Sequence, residues 1–187
     1  RLDLNLPSNQ LEYLRQLKKN CTSPLILVLT GGSPVCTEEL KTIADAILFV
    51  WYPGQEGGRA VADVLFGDVN PSGKLPITFP KSVSQLPDFK DYSMKGRTYR
   101  NMTEEPLYPF GFGLSYTKFT YSDMKLSAVK IKKGKTVTAT ATITNTGNFA
   151  GEEVAQLYIT DVKASCSAPL YALKSFHRVQ LQPGESK

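Results

Sequence analysis

Histidine and cysteine are scarce in this sequence, and their scarcity excludes several kinds of site. The 187 residues include one histidine, His177, and three cysteines, Cys21, Cys36 and Cys166. No C-x-x-C pair occurs, so we predict neither a metal site nor a cofactor. A Ser-His-Asp triad would have to use His177, which falls in a predicted strand away from the ligand crevice, and no G-x-S-x-G turn is present. Cys21 and Cys36 flank one predicted strand and could pair, but we expect all three cysteines to remain thiols.

The chain also lacks a long apolar run and a phosphate-binding loop. No apolar stretch approaches the ~18–20 residues of a membrane helix, so we expect no membrane partner. Neither G-x-x-x-x-G-K-[ST] nor G-x-G-x-x-G occurs, which argues against a nucleotide-binding α/β domain. The sequence opens with Arg1 and carries no charged-then-apolar head of a signal peptide, and we expect it to begin within a domain.

Acidic residues are rare in the second part of the chain. Of the net charge of +5, most belongs to residues 119–187, which hold nine lysines and arginines against five acidic residues. Five of those positive charges lie close together, at Lys125, Lys130, Lys132, Lys133 and Lys135. No aromatic residue or arginine is interleaved with them, so we expect no nucleic-acid partner. We interpret them as a solvated strand edge and turn, protected by charge from pairing with other chains.

Three segments have the periodicity of helices. A capping-box-like start at Asn9-Gln-Leu-Glu12 precedes leucines at helical spacing that continue to Asn20. A short crossover helix is predicted over 37–45. A third helix is predicted over 56–66, with Gly67 as its C-terminal cap.

Two uninterrupted apolar runs alternate with these helices. The runs 25–29 and 46–51 are typical of strands that are buried on both faces, and the alternation with helices predicts a parallel sheet. A possible last strand covers 75–79. The loop 52–58 then joins the end of the second strand to the third helix, where ligand crevices form in open α/β sheets.

The second half of the sequence has a period of two. Thr136–Thr144 alternates threonine with small or apolar residues, and further strands are predicted over 153–160 and 172–181. Short antiparallel strands separated by turns indicate a β-sandwich of immunoglobulin or fibronectin type, whose last part we expect to be cut short. The intervening segment is rich in proline, glycine and aromatic residues, and we expect it to pack over both halves.

Gln55, Glu56 and Arg97 are the candidates for lining a substrate crevice. Backbone N–H groups at the start of the third helix suit an anion or a ligand hydroxyl. Glu56 is either a general acid, an acceptor for a ligand hydroxyl, or a favourable charge in the first turn of a helix. Arg97 either holds a sugar hydroxyl or a carboxylate, or ties the connector to neighbouring carboxylates. Two carboxylates ~5–9 Å apart would suffice for glycoside hydrolysis, but 17 acidic residues make such a pair easy to find.

Three long motifs, in this order, resemble glycoside hydrolase family 3, which contains β-glucosidases and β-xylosidases. They are Trp51–Pro80, Arg97–Tyr116 with its Leu-Tyr-Pro-Phe-Gly-Phe-Gly-Leu-Ser-Tyr core, and Thr144–Tyr158 with Gly-Glu-Glu-Val-Ala-Gln-Leu-Tyr. The resemblance implies α/β plus all-β architecture: a partial α/β/α sandwich with a mainly parallel sheet, followed by a truncated fibronectin-III-like β-sandwich. It divides the chain into 1–80, a connector over 81–118, and 119–187.

The resemblance also implies where the chemistry lies. Family members place an aspartate nucleophile in a barrel domain, and no residue here matches it. Their acid/base is often a glutamate shortly before an Asp-Arg that leads into Leu-x-Leu-Pro, and Arg1–Pro7 resembles the tail of that motif. The implied parent is a retaining, exo-acting β-glycosidase acting on terminal β-linked sugars, secreted or periplasmic, which binds its oligosaccharide through the barrel. Residues 1–187 alone are then expected to be inactive.

A carbohydrate-binding or scaffolding module without catalysis is the competing interpretation. It differs from the enzyme in what precedes Arg1, because only the enzyme requires a barrel and the glutamate-bearing lead-in. Glucose, xylose and the linkage between sugars are not distinguished by these residues.

Overall fold

A computed structural model describes residues 3–187. Arg1 and Leu2 lie outside the described residues, and with them the beginning of the Arg1–Pro7 motif. The elements in chain order are α1 (Ser8–Asn20), β1 (Ile26–Leu29), α2 (Leu40–Ile43), β2 (Ala46–Phe49), α3 (Gly57–Phe66), a 3₁₀ turn (Val83–Gln85), α4 (Thr98–Asn101), β3 (Phe119–Leu126), β4 (Ala139–Asn145), β5 (Gly151–Ile159) and β6 (Ala172–Leu181). Among residues 3–187, no helix combines the length and the hydropathy needed to cross a membrane.

Helix α1 confirms the first predicted helix, but the predicted capping box is wrong. Pro7 occupies the N-cap position and provides no side-chain hydrogen bond. Its carbonyl instead accepts from the backbone N–H of Gln10 and Leu11. The Glu12 carboxylate accepts from Gln16 and Arg15 further along the helix. A proline side chain has no polar atom, so the reciprocal bonds of a capping box cannot form.

Strands β1 and β2 confirm the predicted parallel pairing. Their register runs from Ile26 opposite Ala46 to Leu29 opposite Phe49. Helices α1 and α2 cover one face through a core of Leu14, Leu40 and Ile43, against which Leu25, Leu27, Leu29 and Ile47 pack. The prediction that β1 is buried on both faces is wrong, since Ile26 and Val28 on the opposite face are exposed.

Helix α3 confirms the third predicted helix and its cap. It ends at Phe66, and Gly67 follows in the left-handed conformation with φ of 86° and donates its N–H to the carbonyl of Val64. A residue with a Cβ atom would be strained at that angle, so glycine is the natural residue there.

The predicted last strand over 75–79 does not join the parallel sheet. Leu75 instead exchanges backbone hydrogen bonds with the connector, donating to the carbonyl of Phe112 and accepting from Gly111. Phe79 and Tyr108 then form an isolated antiparallel bridge. The segment pairs with residues 108–112, a partner that the local sequence of 75–79 does not specify.

Antiparallel pairs fill the second half, as predicted. Strand β3 pairs with β4, and β5 pairs with β6 in a longer ladder. Ser186 bridges to Thr144 on the other edge of β4. Asn145 and Leu181 are fully buried where the ends of β4 and β6 meet. The five clustered lysines lie on β3 and in the exposed turn before β4, in agreement with a solvated edge.

Candidate functional site

The loops that follow β1 and β2 meet at the carboxyl edge of the parallel sheet. We call residues 30–37 and 50–56 the edge loops. The N–H of Gly31 donates to the carbonyl of Trp51 across 3.2 Å. The ring of Tyr52 lies so close to Gly32 that a Cβ atom there would come within 2.8 Å of it. Trp51 has a φ of 54°, an uncommon value for an aromatic residue that often marks a functional loop.

The second edge loop presents its polar side chains to solvent. Gln55 and Glu56 are both exposed, and the Tyr52 side chain is 79% exposed. Glu56 occupies the N-cap position of α3, where its side chain makes no capping hydrogen bond in the described structure. Two of the three sequence candidates therefore lie together at the carboxyl edge of the sheet, beside the positive end of the α3 helix dipole.

Residues 4–6, which precede α1, lie against the first edge loop. The carbonyl of Leu4 accepts from the N–H of Cys36 at 2.8 Å. The N–H of Leu6 donates to the hydroxyl of Thr37 at 3.0 Å. The part of the Arg1–Pro7 motif that the structure describes is thus fixed beside the first edge loop.

An aromatic cluster ties the connector to the end of β2. Phe79 makes edge-on contacts with Phe49 and Trp51, at ring-centroid distances of 5.3 and 6.1 Å. Tyr108 lies 6.2 Å from Phe79 on the other side, and the ammonium group of Lys41 is 4.9 Å from the Tyr108 ring centroid. Burial raises the pKa of the Tyr108 phenol. Tyr108 of the Leu107–Tyr116 motif therefore packs, through Phe79, against the end of β2 and the start of the second edge loop.

Arg97 is held by the connector itself. Its guanidinium donates to the backbone carbonyls of Asp88 and Asp91, at 2.6 and 2.9 Å. Arg97 therefore holds the connector together, as one of the two alternatives predicted, but its acceptors are backbone carbonyls and not the predicted carboxylates. These bonds occupy guanidinium N–H donors of Arg97 that a bound sugar would otherwise use. Gln55 and Glu56, by contrast, present their side chains to solvent.

A second concave surface lies where the connector meets β5. This seam groove has a volume of about 320 Å³ and is lined by Lys74, Phe112, Tyr121, Glu153 and Gln156, among others. The Lys74 ammonium contacts the Glu153 carboxylate at 3.2 Å, and the Tyr121 hydroxyl donates to the same carboxylate. Burial, with the Glu153 charge beside it, raises the pKa of Tyr121 to about 12.

No spacing along the chain predicts that Lys74 and Glu153 would meet. They are separated by 79 positions, and Glu153 occurs in a strand where a charged residue would ordinarily face solvent. The one local signal was a pair of adjacent carboxylates, Glu152-Glu153, in a predicted strand whose remaining residues are mostly apolar. Each of the two glutamates is paired with a cation: Glu153 with Lys74, and Glu152 with Arg178 at 2.6 Å.

The Lys74–Glu153 pair is expected to stabilise the seam measurably. The two side chains are 17% and 13% exposed, so removing one partner leaves a largely buried charge uncompensated. We expect Lys74→Met and Glu153→Gln each to lower the free energy of unfolding by about 2–3 kcal/mol, and the double variant to cost less than the sum. Urea unfolding of the complete encoded polypeptide measures the coupling.

A matched control for this cycle is the exposed pair Lys81–Glu105. Its atoms are 3.5 Å apart, but its carboxylate side chain is 86% exposed. The same substitutions there should couple by no more than about 0.5 kcal/mol. Equal coupling at both pairs would contradict a special role for the seam.

No metal centre is evident in residues 3–187, because no three histidine, cysteine or acidic side chains come together in a suitable group. None of the three cysteines forms a disulfide there either.

Comparison with family models gives two matches. The glycosyl hydrolase family 3 C-terminal domain matches residues 1–116. The fibronectin type III-like domain matches residues 153–187.

Curated relatives match the chain along its length. A periplasmic beta-glucosidase of Salmonella typhimurium is 45% identical over 199 residues, which take in 100% of this chain and 26% of that protein. A xylan 1,4-beta-xylosidase of Xylanibacter ruminicola is 45% identical over 186 residues, which take in 100% of this chain and 21% of that protein. The chain therefore spans about a quarter of the length of these relatives.

Solved structures give the same picture. Beta-glucosidase 3B from Thermotoga neapolitana, in complex with alpha-D-glucose, superposes with a TM-score of 0.89 at 38% identity, over 98% of this chain and 28% of that one. A beta-glucosidase from Erythrobacter marinus superposes with a TM-score of 0.87 at 38% identity, over 100% of this chain and 25% of that one. The described helices and strands are thus arranged as in the corresponding part of those two enzymes.

Proposed function

This chain belongs to glycoside hydrolase family 3, and from that premise we propose that residues 1–187 are the C-terminal part of a retaining, exo-acting β-glycosidase. The enzyme would remove a glucose or xylose unit from the non-reducing end of a β-linked oligosaccharide or glycoside. Relatives named beta-glucosidase and beta-xylosidase support both sugars. The observation that carries the proposal is the family match over residues 1–116.

The nucleophile and the acid/base are proposed to come from polypeptide upstream of Arg1. A retaining glycosidase needs two carboxyl groups about 5–5.5 Å apart on either side of the scissile bond. At the crevice edge the described residues offer Glu56 as an exposed carboxylate. Leu4 and Leu6 bond to the first edge loop, which supports placing polypeptide upstream of the motif near the proposed crevice.

The contribution proposed for residues 1–187 is therefore one wall of the substrate crevice. Tyr52 offers an exposed aromatic face, and Gln55 and Glu56 offer hydrogen-bonding groups beside it. Arg97 is proposed to act at the crevice through the loop that it holds in place. The connector 81–118 would join the two flanking domains, 1–80 and 119–187, because its backbone and side chains bond to both.

We propose that the enzyme is secreted or periplasmic. Its β-linked substrates occur outside the cytoplasm, and one relative is named a periplasmic beta-glucosidase.

A substitution at Glu56 tests whether the crevice edge binds sugar without performing the chemistry. In the complete encoded polypeptide, we expect Glu56→Gln to raise KM for a p-nitrophenyl β-glycoside by about 3–10-fold while kcat changes by less than about 3-fold. The reason is that a hydroxyl contact at the edge binds ground state and transition state alike. Steady-state kinetics with both the glucoside and the xyloside separate the two constants.

Asp68→Asn is the control, because Asp68 is also exposed but follows the opposite end of α3. It should leave both constants unchanged. If Glu56→Gln lowered kcat by about 100-fold or more, Glu56 would be a general acid or base, and the proposal that it only lines the crevice would be refuted.

A further inference from the structure

The second edge loop leaves the parallel sheet through a residue in an unfavourable backbone conformation. Trp51 follows β2 and has a φ of 54°. The left-handed region is rarely adopted by bulky side chains, and glycine, asparagine or aspartate is the usual residue there. Such a conformation persists only where the surrounding structure over-determines it, and residues of this kind cluster at functional sites. The contacts around Trp51 therefore show what holds it and which part of the chain depends on it.

Both the side chain and the backbone of Trp51 are held by residues of the described chain. Its indole lies edge-on against Phe49 and Phe79, at ring-centroid distances of 4.6 and 6.1 Å. Phe79 is only 3% exposed, so residues 3–187 themselves enclose its ring. The carbonyl of Trp51 accepts from the N–H of Gly31 on the first edge loop. Because these partners all belong to the described residues, they are sufficient to explain the Trp51 conformation.

The remainder of the second edge loop is fixed by contacts of its own. The Tyr52 ring lies against Gly32, and Pro53 lies so close to Gly57 that a Cβ atom at that glycine would come within 2.6 Å of its ring. Gly54 has a φ of 73°, and its carbonyl accepts from the N–H of Gly57. The loop thus keeps its own shape, and the direction in which it leaves the sheet is set at the residue before these contacts begin.

We infer that Trp51 is a positioning residue, whose ring contacts hold the left-handed backbone that orients Gln55 and Glu56. Both of these side chains are exposed and follow Trp51 within the same loop. Moving φ of Trp51 from 54° to the extended or helical range, about −60° to −140°, would redirect the chain that follows. Because α3 fixes the far end of the loop, the change would be taken up between the two ends, where Gln55 and Glu56 lie. That these two side chains contact sugar rests on the proposed function, whereas the orientation of the loop does not.

Three substitutions in the complete encoded polypeptide separate the ring of Trp51 from its backbone. Trp51→Phe keeps a ring beside Phe49 and Phe79, and it should leave KM for a p-nitrophenyl β-glycoside within about 2-fold of the natural value. Trp51→Gly permits the left-handed backbone but has no ring to hold it, and it should raise KM by about 3-fold or more. Trp51→Val resists the left-handed conformation, and it should raise KM by about 10-fold or more while kcat falls by less than about 3-fold.

The division between KM and kcat distinguishes positioning from general destabilisation. A substitution that only unfolds part of the enzyme lowers the apparent kcat and leaves KM unchanged, and that result for Trp51→Val would overturn the inference. If circular dichroism shows that Trp51→Val does not fold, Trp51→Gly and Trp51→Phe decide, because equal KM values for these two would also overturn it.

Combining Trp51→Val with Glu56→Gln tests whether Trp51 acts through the loop. Both substitutions would remove the same contact, so the rise in KM for the double variant should be clearly smaller than the product of the two single effects. Effects that multiply in full would mean that Trp51 acts elsewhere, and would overturn the inference.

Hydrogen–deuterium exchange, followed by mass spectrometry, gives a readout that requires no turnover. In Trp51→Val the peptide that contains Gly31 should exchange about 10-fold faster or more, because the carbonyl that accepts its N–H would move. The N–H of Asp45, which donates to the carbonyl of Leu25 at the opposite end of the sheet, should exchange at the natural rate. Unchanged exchange at Gly31 overturns the inference in an active enzyme as well. If the natural protein cleaves neither glycoside, the proposed function fails, and faster exchange at Gly31 still supports the positioning role.

Asp123→Val is the matched control. Asp123 also has a left-handed φ, of 53°, but it lies on β3 in the second half of the chain. The same β-branched residue therefore meets the same backbone conformation at a site outside the edge loops. KM and the exchange at Gly31 should both remain at their natural values. Equal effects of Asp123→Val and Trp51→Val would assign them to backbone strain in general and overturn the inference.

Discussion

Residues 1–187 expressed alone are expected to release no p-nitrophenol from p-nitrophenyl β-glucoside or β-xyloside. The complete encoded polypeptide should release it from at least one of the two. Enzymes accelerate such reactions by about 10⁶-fold or more, and the fragment should show none of that acceleration, because it would lack both carboxylates of the retaining mechanism.

Four acidic side chains of the fragment are engaged in ion pairs. Glu12 and Glu39 share the Arg15 guanidinium on the exposed side of α1, and Glu152 and Glu153 are paired at the seam. Glu56 lies at the start of α3, and a single carboxylate there does not complete the two-step reaction.

The assay distinguishes three outcomes. Turnover by the fragment that disappears on Glu56→Gln would contradict the proposed division of labour and make Glu56 catalytic. A complete polypeptide that binds oligosaccharide but never turns it over would favour the carbohydrate-binding module. An inactive fragment beside an active complete protein supports the proposal, provided that circular dichroism shows the fragment to be folded.

Asn145→Ala is expected to be the most damaging single substitution in the second half, lowering the free energy of unfolding by about 3–5 kcal/mol. Asn145 is 0% exposed and lies at the end of β4. Its amide nitrogen donates to the carbonyls of Phe149 and Leu181, at 2.8 and 3.1 Å. Its amide oxygen accepts from the Thr117 hydroxyl and the Gly147 N–H, at 2.6 and 3.1 Å.

Alanine would leave four polar groups without their partner in a place that water reaches poorly. Each such group costs about 1–3 kcal/mol when it is buried and unsatisfied. Urea unfolding of the complete encoded polypeptide, followed by a probe in the second half, measures the effect.

Asn148→Ala in the same turn serves as the comparison, because Asn148 is exposed. It should change the free energy by no more than about 0.5 kcal/mol. Asn145→Asp should also be destabilising, since it keeps the oxygen acceptors but loses both donations and buries a charge. A cost below about 1 kcal/mol for Asn145→Ala would show that water replaces the amide there.

The elements predicted correctly are those whose information is local. Helix α3 was predicted with Gly67 as its C-terminal cap, and the left-handed backbone of that glycine needs no distant partner. The parallel pairing of β1 with β2 followed from two apolar runs joined by a helical segment. The family resemblance, carried by three motifs, is confirmed by the family model that matches residues 1–116.

The errors arose where a distant partner decides the outcome. Residues 75–79 have the pattern of a strand, yet they pair with 108–112 because the aromatic cluster around Phe79 holds the connector there. The exposed face of β1 was missed because an apolar run alone does not say how many neighbours will cover it. The capping box failed because of Pro7, a neighbour outside the motif itself.

The sequence by itself determined the family, the local helices and the order of α/β and all-β parts, because these depend on periodicity and on residues close together in the chain. The tertiary structure alone decided that Arg97 bonds to the carbonyls of its own loop, that Lys74 meets Glu153, and that Asn145 joins four separate groups. These contacts join residues across turns and between elements, and no spacing along the chain specifies which buried polar groups will satisfy one another. The second edge loop depends on both: its position between β2 and α3 was recognisable from the sequence, but its contacts with Gly31 and Gly32 follow from the fold.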